Sequence, residues 1–219
     1  MEIYKIPRNT KAIIFDIDGT LYNSDEYVAE QVDVQIRYWS KLKGISADQG
    51  RKLMEDFRRE WSKKHQGKKI SLGNAFTHFG IDIDTSIRWR NQLMRPEDYL
   101  STDTKLIQAL EELKAEGIKM IAVTNNPVEA ARKTLKAVGI DFLIPHIVGL
   151  DTCHLSKPAR PMLDKALEIL SCKAEDVISI GDRYDIDLAL PLEMGMGGIV
   201  VAGAFELYDL PALLRKKTS

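Results

Sequence analysis

The sequence contains few residues that could cross-link the chain or bind a soft metal. It has 2 cysteines and 4 histidines in 219 residues, without a CxxC pair or a cysteine–histidine cluster. Two cysteines cannot build a disulfide framework, and without ligand spacing a zinc site is not expected. These absences exclude a disulfide-stapled scaffold and argue against a zinc-dependent domain.

Long apolar runs and an excess of one charge are also absent. The longest charge-free stretch late in the chain, residues 194–205, is about 12 residues, too short for a membrane helix. The first residues do not join a basic segment to an apolar run, so no signal peptide is expected. With 31 Lys and Arg against 32 Asp and Glu, the net charge of −1 favours neither a nucleic acid polymer nor a membrane as partner. We therefore expect a soluble, cytoplasmic enzyme or binding module.

Short apolar runs alternate with amphipathic segments over most of the chain. Such runs are typical of strands buried on both faces of a parallel sheet. They are residues 12–15, 118–123, 142–148, 177–180 and 199–201. The segments with helical periodicity are residues 103–116, 127–138, 161–170 and 185–194. This alternation predicts an α/β fold with a doubly wound, Rossmann-like parallel sheet.

Residues 24–93 break the alternation, because they are rich in charged and aromatic side chains and contain no convincing strand. Three or four helices are predicted there. They cover about residues 24–43, 46–65, 71–79 and 84–94. The residues from Ser46 to Gln49 fit a capping box. The sequence thus predicts a core domain of residues 1–22 and 95–219, interrupted by a helical domain of residues 23–94.

Acidic, hydroxyl and basic side chains follow the predicted strands. Asp16 and Asp18 come after the first strand, Thr124 after the second, Lys157 after the third and Asp182 after the fourth. The carboxyl ends of parallel strands meet at one edge, so these groups converge. Crowded carboxylates stay ionised near a cation, and oxygen ligands suit Mg²⁺, which often also contacts phosphate. The set predicts phosphoryl transfer, in which one carboxylate is the nucleophile and another moves the proton.

Residues 16–21 read Asp-Ile-Asp-Gly-Thr-Leu, and they resemble the DxDGT(L/V) motif of the haloacid dehalogenase (HAD) superfamily. Thr124, Lys157 and Asp182 resemble the second, third and fourth motifs of that family, in the same order. The resemblance covers roughly residues 11–22 and 95–205. The helical segment lies where the family carries its C1 cap. The resemblance therefore implies a HAD core with an inserted α-helical cap domain.

The resemblance also implies a role for each matching residue. Asp16 would be the nucleophile and a Mg²⁺ ligand. Asp18 would be the general acid and base, with its backbone carbonyl on the metal. Thr124 and the backbone amide of Asn125 would bind the phosphoryl group. Lys157 would neutralise the nucleophile and the group being transferred.

Two departures from the family pattern leave local details open. Many relatives read KPxP after the third strand, whereas here the second proline, Pro161, comes one position later. This shift should alter the turn but not the lysine. After the fourth strand, Asp182 would be the main metal ligand, and Asp185 or Asp187 would be the second acid. A helix beginning near Asp185 would place these two on different faces, so that only one would point at the site. We favour Asp187 for its five-residue spacing from Asp182, with Asp185 as the close alternative.

The preferred function is Mg²⁺-dependent hydrolysis of a small phosphorylated metabolite through an aspartyl-phosphate. Asp18 argues against the dehalogenases and phosphonatases of the family, which generally lack an acid at this position. Two alternatives stay open: a phosphomutase of the β-phosphoglucomutase type, and a non-catalytic module that binds a phosphorylated ligand. Nucleotides, sugar phosphates and phosphoglycolate all stay open as substrates.

Overall fold

A computed structural model describes residues 1–218 and contains a sheet with strands buried in its middle. The strands are β1 (Glu2–Lys5), β2 (Ala12–Phe15), β3 (Lys119–Val123), β4 (His146–Val148), β5 (Val177–Gly181) and β6 (Gly197–Val200). Their order is β1-β6-β5-β2-β3-β4. Every neighbouring pair is parallel except β1 with β6, which is antiparallel. The predicted α/β fold with a doubly wound parallel sheet is confirmed.

The helices occupy the remainder of the chain in two groups. Those that follow β2 are α1 (Asp25–Lys43), α2 (Ala47–Lys64), α3 (Leu72–His78) and α4 (Ile83–Leu93). Those that alternate with the later strands or follow them are α5 (Thr104–Ala115), α6 (Val128–Val138), α7 (Leu150–Cys153), α8 (Arg160–Leu170), α9 (Ala189–Glu193) and α10 (Leu210–Thr218). Within the described chain, no helix combines the length and the apolar character that crossing a bilayer requires.

The chain divides into two compact units. One contains Met1–Asp25 together with the chain from Pro96 onward, and the other contains Glu26–Arg95. The first unit holds the sheet, and the second holds most of α1 and all of α2, α3 and α4. The division into a core domain (1–22 and 95–219) and a cap domain (23–94) stays a prediction.

Strand β2 forms the centre of the first unit, and its position follows from its composition. Ala12, Ile13 and Phe15 are fully buried, because β2 is hydrogen-bonded to β3 on one side and to β5 on the other. Phe15 pairs with Ala122 of β3 and with Ile180 of β5. The three strands therefore end at nearly the same level, and the residues that follow them are neighbours.

The second unit buries its aromatic residues in a core of its own. Trp39 of α1 packs against Phe76 of α3, with ring centroids 5.9 Å apart, and Trp89 of α4 joins the same cluster. At the start of α2, Ser46 and Gln49 form the predicted capping box, with hydrogen bonds of 3.2 and 2.9 Å. The tryptophans of α1 and α4 thus pack between helices.

Two local predictions differ from the structure, and one strand was not predicted. Only the end of the run 142–148 is a strand, because the amides of Leu143 and Ile144 turn back to the carbonyl of Ile140, and Phe142 is exposed. The helix predicted over 185–194 begins instead as a π-helical turn, Tyr184–Leu188, followed by α9. Strand β1 was not predicted, because all of its side chains are exposed and give no apolar run.

Candidate active site

The candidate site lies at the carboxyl edge of the sheet, within the first unit. Asp16 follows β2, Thr124 follows β3 and Asp182 follows β5. The amide of Asp16 donates to the carbonyl of Ile180 at 2.8 Å, and that of Thr124 donates to the carbonyl of Val148 at 3.0 Å. Sheet hydrogen bonding thus continues into the first site residues, which fixes their backbone.

Lys157 joins two of the acids. Its Nζ is hydrogen-bonded to Oδ1 of Asp16 and lies 2.7 Å from Oδ1 of Asp187. All three side chains are buried, and that of Lys157 is only 7% exposed. Its backbone amide donates to Oδ1 of Asn125 at 2.6 Å, so this asparagine fixes the loop that carries the lysine.

Three aspartates form a cluster of possible metal ligands. Asp16, Asp182 and Asp187 each offer a carboxylate oxygen within 4.8 Å of the others. Oδ2 of Asp16 and Oδ1 of Asp182 are buried and accept no hydrogen bond from any residue between 1 and 218, although Arg183 Nε lies 3.5 Å from the latter. Buried carboxylate oxygens without donors are costly, and a hard divalent cation would satisfy them. The donor set therefore fits Mg²⁺.

The electrostatics of the site agree with this fit. Burial raises the pKa of Asp16 to about 7, and the neighbouring carboxylates of Asp187 and Asp18 add to that rise, against the attraction of Lys157. Burial also raises the pKa of Asp182. Burial lowers the pKa of Lys157, but the attraction of the carboxylates of Asp16 and Asp187 outweighs burial. The pKa of Lys157 therefore lies above its ordinary value. Additional positive charge would keep the aspartates ionised at neutral pH.

Asp187, and not Asp185, belongs to the cluster. Asp187 is 4% exposed, and its Oδ2 accepts the amide of Arg183 at 3.1 Å. Its carbonyl accepts the hydroxyl of Ser179 at 2.8 Å. Asp185 is exposed and lies outside the cluster. The wide π-helical turn is what points Asp187 inward.

The carboxyl of Asp18 is held by two residues that the sequence did not assign. The hydroxyl of Tyr22 donates to its Oδ1 at 2.5 Å, and Nδ2 of Asn126 donates to its Oδ2 at 2.9 Å. Asn126 follows the predicted residues Thr124 and Asn125, but asparagines after a strand are also typical of a helix cap, so this contact leaves no signal in the sequence.

Thr124 is fully buried, and its Oγ1 accepts the amide of Asn126 at 3.1 Å. This bond shapes the loop after β3 and does not cap the next helix, since the N-cap of α6 is Pro127, which has no side-chain cap hydrogen bond. The structure therefore brings together Asp16, Lys157, Asp182 and Asp187 directly, places Asp18 close enough for its charge to raise the pKa of Asp16, and gives Asn125 a contact with the Lys157 loop.

The chain is similar to proteins of a known family. The family model for haloacid dehalogenase-like hydrolases matches residues 10–194. The chain is 27% identical to the glyceraldehyde 3-phosphate phosphatase of Methanocaldococcus jannaschii over 202 residues, 85% of this chain and 82% of that protein. It is 24% identical to the pyrophosphatase PpaX of Listeria monocytogenes over 196 residues, 87% of this chain and 83% of that one.

A solved structure, the HAD phosphatase from Thermococcus onnurineus, superposes with a TM-score of 0.65 at 21% identity. The match covers 94% of this chain and 98% of that one. At this identity the likeness shows the fold alone.

Proposed function

Because this chain belongs to the family of haloacid dehalogenase-like hydrolases, we propose that it is a phosphatase that hydrolyses a small phosphorylated metabolite with the help of Mg²⁺. The observation that carries the proposal is the largely buried cluster of Asp16, Asp182 and Asp187 beside Lys157, with Asp18 close enough for its charge to act on Asp16. Two relatives named for phosphoryl substrates, glyceraldehyde 3-phosphate phosphatase and a pyrophosphatase, support this class of substrate.

In the proposed reaction, the carboxylate of Asp16 attacks phosphorus, and the bond from phosphorus to the leaving oxygen breaks. Asp18 gives its proton to that oxygen, so an alcohol leaves and Asp16 carries an aspartyl-phosphate. Asp18, now ionised, takes a proton from a water molecule that attacks the same phosphorus. Inorganic phosphate leaves, and both aspartates return to their starting states.

The other residues would bind charge and hold position. Lys157 and the hydroxyl of Thr124 would hold phosphoryl oxygens, together with the amide of Asn125. The side chains of Asp16, Asp182 and Asp187 and the carbonyl of Asp18 would hold Mg²⁺. When bound, this ion would neutralise negative charge on the phosphoryl group and the carboxylates.

The test is hydrolysis of p-nitrophenyl phosphate and of a panel of phosphorylated metabolites, including pyrophosphate, by the whole protein. We expect turnover with Mg²⁺, its loss in EDTA, and a loss of at least about 10³-fold in Asp16→Asn. Turnover that survives EDTA or Asp16→Asn would contradict the mechanism. Transfer of phosphate within a sugar, without release of phosphate, would identify a mutase. Ligand binding by an inactive wild type would identify a binding module.

A further inference from the structure

Asp18, the proposed general acid and base, is held at both of its carboxyl oxygens. Tyr22 contacts Oδ1 and Asn126 contacts Oδ2. Two hydrogen bonds to the two oxygens of one carboxyl fix its plane and its χ angles. The side chain of Asp18 is therefore held in one orientation.

Resting on the proposed function, we infer that Tyr22 is a positioning residue for proton transfer and that its hydroxyl aligns the Asp18 carboxyl with the leaving oxygen. A phenolic hydroxyl can both donate and accept a hydrogen bond. The contact between Tyr22 and Asp18 can therefore persist whether the carboxyl is protonated or ionised. An amide NH₂ only donates, so the reversible contact is the one made by Tyr22.

The backbone places Tyr22 within reach of Asp18 in a tight turn. The amides of Thr20 and Leu21 both donate to the carbonyl of Ile17, at 3.2 and 3.0 Å, and Gly19 has a φ of 77°. This turn brings the side chain four residues later back onto Asp18. A residue with a Cβ is strained at such a positive φ, and glycine is not, which explains why the turn needs Gly19.

Both supporting side chains are themselves fixed. The side chain of Tyr22 is buried, with 4% of its surface exposed. Asn126 is 8% exposed, its amide donates to Thr124 Oγ1, and its carbonyl accepts the amide of Leu150 at 3.0 Å. A buried ring packs whether or not it carries a hydroxyl, so Tyr22→Phe removes the contact with Asp18 and keeps the packing.

The chain supplies a matched control in Tyr208. Its hydroxyl donates to Oδ2 of Asp103 at 2.8 Å, which is again a bond from a tyrosine to an aspartate. Asp103 caps the N-terminus of α5, and neither residue belongs to the machinery described above. Tyr208→Phe therefore removes the same chemical contact at a structural position.

The readout is the dependence of kcat/KM on the leaving group, measured with p-nitrophenyl phosphate and phenyl phosphate. This parameter covers the steps up to departure of the phenol. Nitrophenolate leaves without a proton, whereas phenolate needs one. In Tyr22→Phe we expect kcat/KM for phenyl phosphate to fall about tenfold more than for p-nitrophenyl phosphate, as a partial loss of general acid catalysis. Tyr208→Phe should leave the ratio of the two substrates unchanged.

An equal fall for both substrates in Tyr22→Phe, or no fall at all, would overturn the inference. If Tyr22→Phe does not fold, Asn126→Ala tests the other contact with the same two substrates and the same expected change in ratio. In an Asp18→Asn background, Tyr22→Phe should change the ratio no further, because the group that it positions is gone. An inactive wild type would refute the proposed function. An active wild type with an unchanged ratio in Tyr22→Phe would refute this inference alone.

Discussion

Gly181, the last residue of β5, leaves the space into which Asp187 folds. A Cβ at this position would lie 2.3 Å from the Cβ of Asp187 and 2.5 Å from its Cγ. Real carbon atoms do not approach so closely, so any side chain here would displace Asp187. The small residue at the strand end is therefore a requirement of the cluster and of the contact with Lys157.

Gly181→Ala should destabilise the protein by about 1–3 kcal/mol, the usual effect of overpacking, and lower kcat/KM as Asp187 leaves Lys157. Urea unfolding and hydrolysis of p-nitrophenyl phosphate measure the two effects. Gly73→Ala in α3 is the matched control, because the nearest atoms that a Cβ there would meet belong to α4 and lie at ordinary contact distances of 3.6 Å or more. A Gly181→Ala protein with wild-type stability would contradict the steric argument.

At the level of single residues, the sequence predicts candidate site residues from two signals, the type of side chain and its place after a strand. Asp16, Asp18, Thr124 and Lys157 each follow a predicted strand. The contact of Tyr22 with Asp18 was not predictable, because its hydroxyl reaches Asp18 only through the geometry of a turn. A buried tyrosine looks the same in sequence whether it packs or positions a neighbour.

Among the elements, the strands with buried residues were predictable and the edge strand β1 was not. Residues of β2 and β5 are buried throughout, and their apolar runs mark them clearly. The edge strand β1 carries exposed side chains and adds to the sheet by backbone pairing with β6. Backbone pairing needs no particular side chains, so it leaves little trace in a sequence.

The turn after β5 was the element with the largest effect on the site. The amide of Ala189 donates to the carbonyl of Tyr184, five residues back, which is the spacing of a π-helix. A regular helix would present Asp185 and Asp187 differently. The additional residue in such a turn has no signature in the sequence, so the choice between the two acids could only be argued from spacing.

The N-terminus of α5 is tied to the segment before α10 by the bond from Tyr208 to Asp103. Burial, with this bond, raises the pKa of Tyr208 to about 12. Since the folded pKa exceeds the ordinary value of 10.0, the stabilisation is fully present below about pH 10 and is lost as the pH rises through about 12.

Tyr208→Phe should therefore unfold more easily than the wild type by about 1 kcal/mol at pH 8. The difference between the two proteins should shrink between about pH 10 and pH 12, because only the wild type contains this ionising hydroxyl. Urea unfolding of both proteins at pH 8, 10 and 11.5 measures it. A difference that stays constant across this range would show that the hydroxyl does not carry the effect.

Over the whole molecule, the near balance of charge conceals a local excess. The net charge is −1, yet three carboxylates, two of them buried and the third half-buried, face one another at a single edge of the sheet. A cation that binds this edge in the folded chain, and not in the unfolded chain, must stabilise the fold.

Mg²⁺ at about 100 times its Kd should add about 2.7 kcal/mol to the free energy of unfolding. For a chain of this size, that corresponds to a rise in Tm of about 5–10 °C. Asp187→Asn should lose more than half of this rise. Asp185→Asn, the same change at an exposed residue outside the cluster, should keep it. Thermal unfolding with and without Mg²⁺ measures this rise in Tm. An equal rise in Asp187→Asn and in the wild type would exclude Asp187 as a ligand.

The central place of β2 has a consequence for the order in which the molecule comes apart. Asp16 directly follows the strand that has neighbours on both sides, and its own amide is bonded to β5. Strand β1 can fray from β6 without disturbing any of these bonds. Freeing the backbone of Asp16 requires the middle of the sheet to open, which is close to global unfolding. The residue proposed to carry the phosphoryl group thus stands on the part of the protein that opens last.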